Sequence, residues 1–89
     1  MNEKKFIEPD QPRTLAEAQE VLGRVRPTQQ APLTEWLAFH QRATAVYAEV
    51  AEIDRGHHHE ALFMADQERQ RTTEIKAQIS AHNPDGEEG

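Results

Sequence analysis

Three consecutive histidines followed by a glutamate, His57-His58-His59-Glu60, are the group with the most obvious potential for chemistry. Imidazole is the commonest metal ligand, and its charge changes close to physiological pH. Successive residues of a helix point about 100° apart, so the three rings cannot converge on one ion. Only His57 and Glu60, three positions apart, share a face. They predict at most a weak site for zinc or another divalent metal, or a pH-sensitive contact.

A closed structural zinc site takes four ligands, which this segment does not supply alone. Asp54 could add a third ligand from the preceding residues, and a dimer that joined two His57/Glu60 pairs would supply four. Helical di-iron proteins use Glu-x-x-His motifs, and that spacing does not occur in this sequence. The simpler interpretation is structural, with His58 facing a neighbouring helix. We therefore expect no cofactor, with a divalent metal at His57 and Glu60 as the alternative.

His40 is the other histidine placed where it could matter. It lies on the apolar stripe of a predicted helix, where a lone histidine usually makes one hydrogen bond, and Glu68 is the expected partner. A catalytic base needs a nucleophile or a substrate pocket beside it. The chain has one serine, Ser80, no cysteine and no glycine-rich phosphate loop. These features predict that the protein is not an enzyme.

Periodicity predicts three helices and no strand, and so an all-α fold. Apolar residues recur every three or four positions, which is typical of amphipathic helices. The predicted helices cover residues 14–25, 32–54 and 57–81.

Local signals mark where these helices begin and end. Thr14 and Glu17 form a capping box, in which each side chain bonds the other's backbone amide. Pro32 suits the first turn of the second helix, where its missing amide costs nothing. Gly56 interrupts the apolar pattern and is suited to a left-handed turn between two helices.

A tight turn at Gly56 folds the second and third helices into a long antiparallel hairpin. Counting outward from this turn brings His40 near Glu68. Small residues on both inner faces let the helix axes approach closely, and the short first helix packs on the hairpin. The alternative is one unbroken rod from Pro32 to Ala81 that pairs with a second copy. The small residues are Ala43, Thr44, Ala51, Ala61 and Ala65.

Composition limits what the fold can be used for. The chain has 89 residues, of which 36% are apolar, and a net charge of −6. This is too small for a multidomain enzyme, and no segment approaches the ~20 apolar residues of a membrane helix. The absence of cysteine favours a reducing cytoplasm. We expect a disordered arm at residues 1–12, one helical domain at 13–81 and a disordered acidic tail at 82–89.

The distribution of charge argues against nucleic acid as a partner. Arginines are spread among acidic residues, and the net charge is negative. Arg24 and Arg26, together with Arg13, form only a small basic patch.

The apolar stripes are broader than one hairpin can use. Trp36 is expected to cover the first helix, but four other large side chains lie beside or outside the seam and need the first helix or a partner chain to cover them. Aromatic residues and methionine are enriched at the centres of protein interfaces. We therefore predict an interaction surface formed by Phe39, Val46, Phe63 and Met64.

Residues 32–67 contain four distinctive segments: PL at 32–33, WLAFH at 36–40, VYAEV at 46–50 and above all GHHHEAL at 56–62. In these segments the chain resembles a group of short, uncharacterised helical proteins of actinobacteria. The resemblance implies an actinobacterial source and a cytoplasmic location, and it implies no activity.

Together these features predict a non-enzymatic, cytoplasmic protein-interaction module that binds itself, as a homodimer, or another protein, and not nucleic acid or membrane. The alternative is a small metal- or pH-responsive regulator that uses the cluster of His57 to Glu60. A third possibility, an accessory subunit of a transcription regulator, has the same sequence features as the first.

Overall fold

The computed structural model describes residues 12–82, which form three α-helices. Helix α1 spans Leu15–Arg24, α2 spans Leu33–Ile53 and α3 spans His58–His82, with a one-turn 3-10 helix at Arg55–His57 before α3. No residue between 12 and 82 is in a strand. The predicted all-α fold is confirmed, and each predicted helix boundary lies within one residue of the observed one.

The two segments predicted to be disordered, 1–12 and 82–89, lie outside the described residues except for Pro12 and His82. No helix between residues 12 and 82 combines the length and the apolar composition needed to cross a lipid bilayer.

Helix α1 begins at the predicted threonine cap. The Thr14 hydroxyl accepts a hydrogen bond from the Glu17 amide at 3.1 Å, which satisfies a donor that the first turn leaves unpaired. The Glu17 carboxylate bonds back to the amide of Arg13 at 2.9 Å, one residue before the position that the capping-box pattern predicts. Both bonds hold the chain as it enters α1.

The hairpin turn differs from its prediction in the conformation of glycine. Gly56 lies inside the 3-10 helix, and no glycine of the described residues has a positive φ. The left-handed turn predicted at Gly56 is therefore wrong. One tight helical turn, closed by the His57 amide donating to the Asp54 carbonyl at 2.9 Å, reverses the chain instead.

Helices α2 and α3 pack against each other in antiparallel orientation, which confirms the predicted hairpin over a single rod. Two hydrogen bonds set the register: His58 pairs with Ala51 near the turn, and His40 pairs with Glu68 further along. With this register the start of α2 lies level with Ile75. Helix α3 therefore continues for about two turns beyond the start of α2.

Helix α1 lies along the hairpin, antiparallel to α2. Its first amide, from Leu15, bonds the Asp54 side chain at the hairpin turn. Beyond its other end, Arg26 lies over the rings of Trp36 and Phe39 near the start of α2. The chain therefore runs away from the turn in α1, returns in α2 and runs away again in α3.

The core is narrow and rich in alanine. Small side chains on facing helices let backbones approach closely, as predicted for the hairpin, and a few larger residues of α1 and α2 fill the remaining space. The Thr44 hydroxyl donates to the His40 carbonyl at 2.9 Å, so this polar residue lies on the seam without an unpaired group. The buried cluster consists of Ala18, Leu22, Phe39, Ala43, Tyr47, Val50, Ala51, Ala61 and Ala65.

Replacement of Gly23 by alanine is expected to stabilise the protein. Gly23 lies within α1, it does not have a positive φ, and a methyl group at this position would meet no atom within 4 Å. Alanine restricts the unfolded chain more than glycine does, so the free energy of unfolding should rise by about 0.5–1 kcal/mol. Urea unfolding followed by circular dichroism measures the difference, and a lower midpoint for Gly23→Ala would contradict the packing described for α1.

Candidate functional site

His40 and Glu68 form a buried polar pair across the hairpin seam. The Nδ1 atom of His40 lies 2.5 Å from a carboxylate oxygen of Glu68, and the two side chains are 7% and 18% exposed. Because a carboxylate accepts hydrogen bonds, Nδ1 carries the proton in this pair. The expected partner of His40 is thus confirmed, and the bond joins the middle of α3 to α2.

Aromatic rings enclose His40 on the α2 side. The Trp36 ring stacks on it with a centroid separation of 5.6 Å, and the Phe39 ring meets it edge-on at 5.2 Å. The indole nitrogen of Trp36 donates to the Thr28 carbonyl at 3.0 Å, which fixes the indole against the α1–α2 connection. Trp36 therefore packs over this connection, and His40 is held between its neighbours as part of the core.

A polar pocket of about 150 Å³ opens beside the His40–Glu68 pair. Its other lining residues are arginines, glutamines and one further glutamate, and none of them is a nucleophilic side chain. They are Arg26, Gln67, Gln70, Arg71 and Glu74.

Tyr47 lies close to the buried pair. Burial of its phenol raises the pKa of Tyr47, the nearby Glu68 carboxylate raises this pKa further, and Arg26 lowers it.

The three histidines of residues 57–59 have separate roles. His57 donates from Nδ1 to the Asp54 carboxylate at 2.9 Å, and His58 donates from Nδ1 to the Ala51 carbonyl at 2.7 Å. The His58 bond satisfies a carbonyl that the last turn of α2 leaves unpaired, which confirms that His58 faces the neighbouring helix. His59 points elsewhere and lines an apolar groove with Glu60.

The predicted metal ligands His57 and Glu60 have no third ligand beside them within the part of the chain that the structure describes. Among residues 12–82 no three His, Cys, Asp or Glu side chains lie close enough together to hold an ion. His57 instead bonds Asp54, the residue expected to complete the site. The geometry thus gives His57 a role in holding the hairpin turn.

Asp54 is the residue whose importance the sequence pattern does not reveal. One oxygen of its carboxylate accepts two hydrogen bonds, from the Leu15 amide at 3.0 Å and from His57 at 2.9 Å. The bond from the Leu15 amide is the main cause that lowers the pKa of Asp54, and His57 lowers it further. The position of Asp54 between α2 and α3 predicts only a local capping role. Nothing in the neighbouring sequence predicts its bond to Leu15 of α1, which lies 39 residues away.

The predicted interaction surface divides into buried and exposed parts. Phe39 is only 7% exposed and belongs to the core with Ala18 and Leu22 of α1. Because α1 covers it, Phe39 is not part of a free surface, which corrects the prediction for this residue. Val46 is half-buried and also packs against the core.

Phe63 and Met64 remain at the surface, in a groove between α1 and the beginning of α3. Phe63 is 60% exposed, and Met64 is half-buried against the core. With Leu15 of α1 they line a groove with a volume of about 450 Å³, which we call the apolar groove. Gln19, His59 and Glu60 form its polar edge, so half of the predicted surface becomes one continuous apolar site.

A second and larger groove, of about 520 Å³, lies under the connection between α1 and α2. Arg24 and Arg26 line it as members of the predicted basic patch, but its third arginine is Arg42 of α2 and not Arg13. The Arg26 guanidinium lies 5.1 Å from the Trp36 ring centroid. We call this surface the arginine groove.

The buried pair should contribute to stability only when both partners are present. Replacement of one partner leaves the other buried without its hydrogen bond, so His40→Leu and Glu68→Leu should each lower the free energy of unfolding by about 1–3 kcal/mol. The double variant should lose less than the sum of the two single losses. Urea unfolding of all four proteins gives the coupling energy, and additivity within about 0.5 kcal/mol would contradict a mutual interaction.

Acid should weaken the junction between α1 and the hairpin turn. The pKa of Asp54 is lowered in the folded state from its ordinary value of 3.8. The charged carboxylate therefore stabilises the fold at pH values above 3.8, and this contribution is lost as the pH falls through the lower, folded-state pKa. The stability difference between the wild type and Asp54→Asn should shrink as the pH falls from about 5 to about 2.

The matched control for this pH series is Asp66→Asn, since Asp66 lies on the exposed side of α3 and pairs only with Arg69 among the described residues. Thermal unfolding at each pH measures the effect. A stability difference for Asp54→Asn that does not change across this pH range would refute the assigned role of the carboxylate charge.

Comparison with known proteins identifies no relative of this chain. No protein-family model matches the sequence, and no curated protein and no solved structure shows significant similarity to it.

Proposed function

We propose that this protein is a non-enzymatic interaction module and that two copies associate through the apolar groove. The observation that carries the proposal is the 60% exposure of Phe63 within a continuous apolar surface that it shares with Leu15 and Met64. Burial of an exposed phenylalanine ring is favourable because it removes a large apolar area from water.

A second copy is a suitable occupant because the groove offers both a projecting ring and a concave surface to receive one. In a two-fold arrangement the Phe63 ring of each copy can enter the groove of the other, beside Leu15 and Met64. His59 and Glu60 also line the groove and carry groups that can form hydrogen bonds with polar groups of a second copy. The groove thus has the apolar centre and polar rim that protein interfaces use.

The state of His40 supports a binding role and not a catalytic one. Its Nδ1 proton is committed to Glu68, and the Trp36 and Phe39 rings pack against its imidazole. The polar pocket beside His40 is lined by arginine, glutamine and glutamate side chains, which give a general base no nucleophile to activate. In this protein the histidine joins two helices, which is a structural use of the side chain.

The proposed partners and location follow from charge and composition. A net charge of −6 opposes binding to the phosphate backbone of nucleic acids, so the partner is a protein. The lack of cysteine suits a reducing compartment, and we place the protein in the cytoplasm.

Introducing a charge at Phe63 should prevent self-association. In Phe63→Glu a carboxylate would have to enter the apolar centre of the interface without a partner, at a cost of several kcal/mol. The wild type should sediment as a dimer at tens to hundreds of micromolar, and Phe63→Glu as a monomer. Leu62→Glu is the matched control, because Leu62 is 42% exposed but does not line the groove.

Sedimentation equilibrium measures the mass of the wild type and of each variant, and far-UV circular dichroism checks that each variant keeps its helices. A wild-type protein that stays monomeric at these concentrations would overturn the self-association. Equal loss of the dimer in Leu62→Glu and Phe63→Glu would also overturn it, because the interface would then not be centred on the apolar groove.

A further inference from the structure

The arginine groove gathers positive charge from separate parts of the chain. Arg24 is the last residue of α1 and Arg26 lies in the α1–α2 connection, whereas Arg42 lies on the exposed face of α2 that also carries Glu35. Three arginines and one glutamate give the groove a net charge of +2, whereas the whole chain carries −6. The groove is therefore a positive site on a negative protein.

Two of these arginines have no acidic partner within the described part of the chain. Arg24 lies 3.4 Å from Glu20 of its own helix, but no carboxylate there lies within ion-pair distance of Arg26 or Arg42. Arg26 is also held in place, with its guanidinium 5.1 Å from the Trp36 ring centroid. Stacking on an aromatic ring leaves the edge of the guanidinium available for a carboxylate.

The walls between these charges are apolar. Val25 is 44% exposed, and Pro27 and Ala38 line the same groove. The volume of about 520 Å³ is much larger than a single ion needs and is typical of sites for larger ligands. A small anion would leave Val25 in contact with water. The groove therefore suits a ligand that combines negative charges with an apolar side chain.

A peptide has this combination, and a nucleic acid does not fit it as well. Nucleic acids carry a phosphate on every nucleotide, so their long run of negative charge would also meet the acidic remainder of this surface. A peptide can place a few carboxylates at the arginines alone, where each guanidinium can donate two parallel hydrogen bonds. It can also place an apolar side chain against Val25.

The opposite end of the hairpin carries the opposite charge. Residues 49–60, which contain the hairpin turn, include four acidic side chains and one basic side chain. That basic residue, Arg55, already lies 3.6 Å from Glu52. An acidic segment is therefore repelled from the turn and attracted to the end of the hairpin that carries the arginine groove.

We propose that the arginine groove binds an acidic segment of another protein, in which carboxylates that pair with Arg26 and Arg42 flank an apolar side chain that packs on Val25. This is a second binding surface with a different kind of partner, and it does not rest on self-association. The arginine groove and the apolar groove share no lining residue, and they lie near opposite ends of α1.

Three short peptides, acetylated and amidated at their ends, test the proposal on the full 15N-labelled chain. We expect EELEE to shift amide signals of residues 24–42, with a Kd of about 0.1–1 mM at about 0.1 M salt. QQLQQ, which lacks the charges, and EEGEE, which lacks the apolar side chain, should each bind about tenfold more weakly. The indole signal of Trp36, the one tryptophan, should also move, because Arg26 lies over its ring.

Charge variants identify the groove as the site. Arg26→Gln and Arg42→Gln should each weaken EELEE binding by about tenfold, because each removes a charge-assisted contact. Arg42 is exposed and is not part of the core, so its replacement removes the charge without disturbing the helices. The matched control is Arg69→Gln, since Arg69 is an exposed arginine of α3 that lines neither groove. It should leave the Kd unchanged within about twofold.

Salt gives an independent readout. Raising the salt from about 0.1 M to about 1 M shortens the Debye length from about 10 Å to about 3 Å and should weaken EELEE binding several-fold. A Kd that does not change with salt would contradict recognition by charge.

Four further results would overturn the proposal. They are no shift at about 10 mM EELEE, equal binding of EELEE with QQLQQ or EEGEE, equal losses in Arg42→Gln and Arg69→Gln, and tighter binding of a ten-nucleotide oligothymidylate than of EELEE at the same salt. The last result would make the groove a phosphate site. Phe63→Glu should bind EELEE as the wild type does, and sedimentation measures self-association separately, so the failure of one proposal is distinguishable from the failure of the other.

Discussion

The fold depends on the pairing of α2 with α3, and one buried polar bond gives that pairing its register. The seam between the two helices consists largely of alanine, whose methyl group fits almost any neighbouring surface. Such a seam allows close approach but distinguishes poorly between one helical register and the next. The His40–Glu68 bond discriminates among them, because a shift of either helix leaves two buried polar groups unpaired. A single polar contact thereby contributes specificity that the apolar surface lacks.

The position of α1 depends on that register through Asp54. The hairpin turn presents the Asp54 carboxylate at one fixed place, and the first amide of α1 binds it. At the other end of α1 the chain is held by Trp36, whose indole reaches the Thr28 carbonyl. A ten-residue helix is too short to be stable alone. Helix α1 is therefore held mainly by contacts with the hairpin, and the apolar groove that it borders exists only when it is docked.

Much of this arrangement follows from local pattern. The Thr14 cap, the bounds of the three helices, the alanine seam and the His40–Glu68 pair are predictable, because each depends on spacing along one helix or on counting from one turn. What could not be predicted depends on where α1 docks. The bond from Leu15 to Asp54 joins residues with no common periodicity, and the burial of Phe39 requires knowing which face of α2 is covered by α1. The conformation of Gly56 also escaped prediction, because a 3-10 turn and a left-handed turn can connect the same two helices.

The distances along the chain between contacting residues imply an order of folding. The contacts of the hairpin begin with Ala51 and His58, seven residues apart, and grow outward from the turn like a zipper. Chains dominated by such local contacts have low contact order and fold in microseconds to milliseconds. The contact between α1 and Asp54 closes a much longer loop, so its entropic cost is met only after the turn has formed. We expect the hairpin to form the transition-state nucleus and α1 to dock late, so that α1 can undock while the hairpin stays folded.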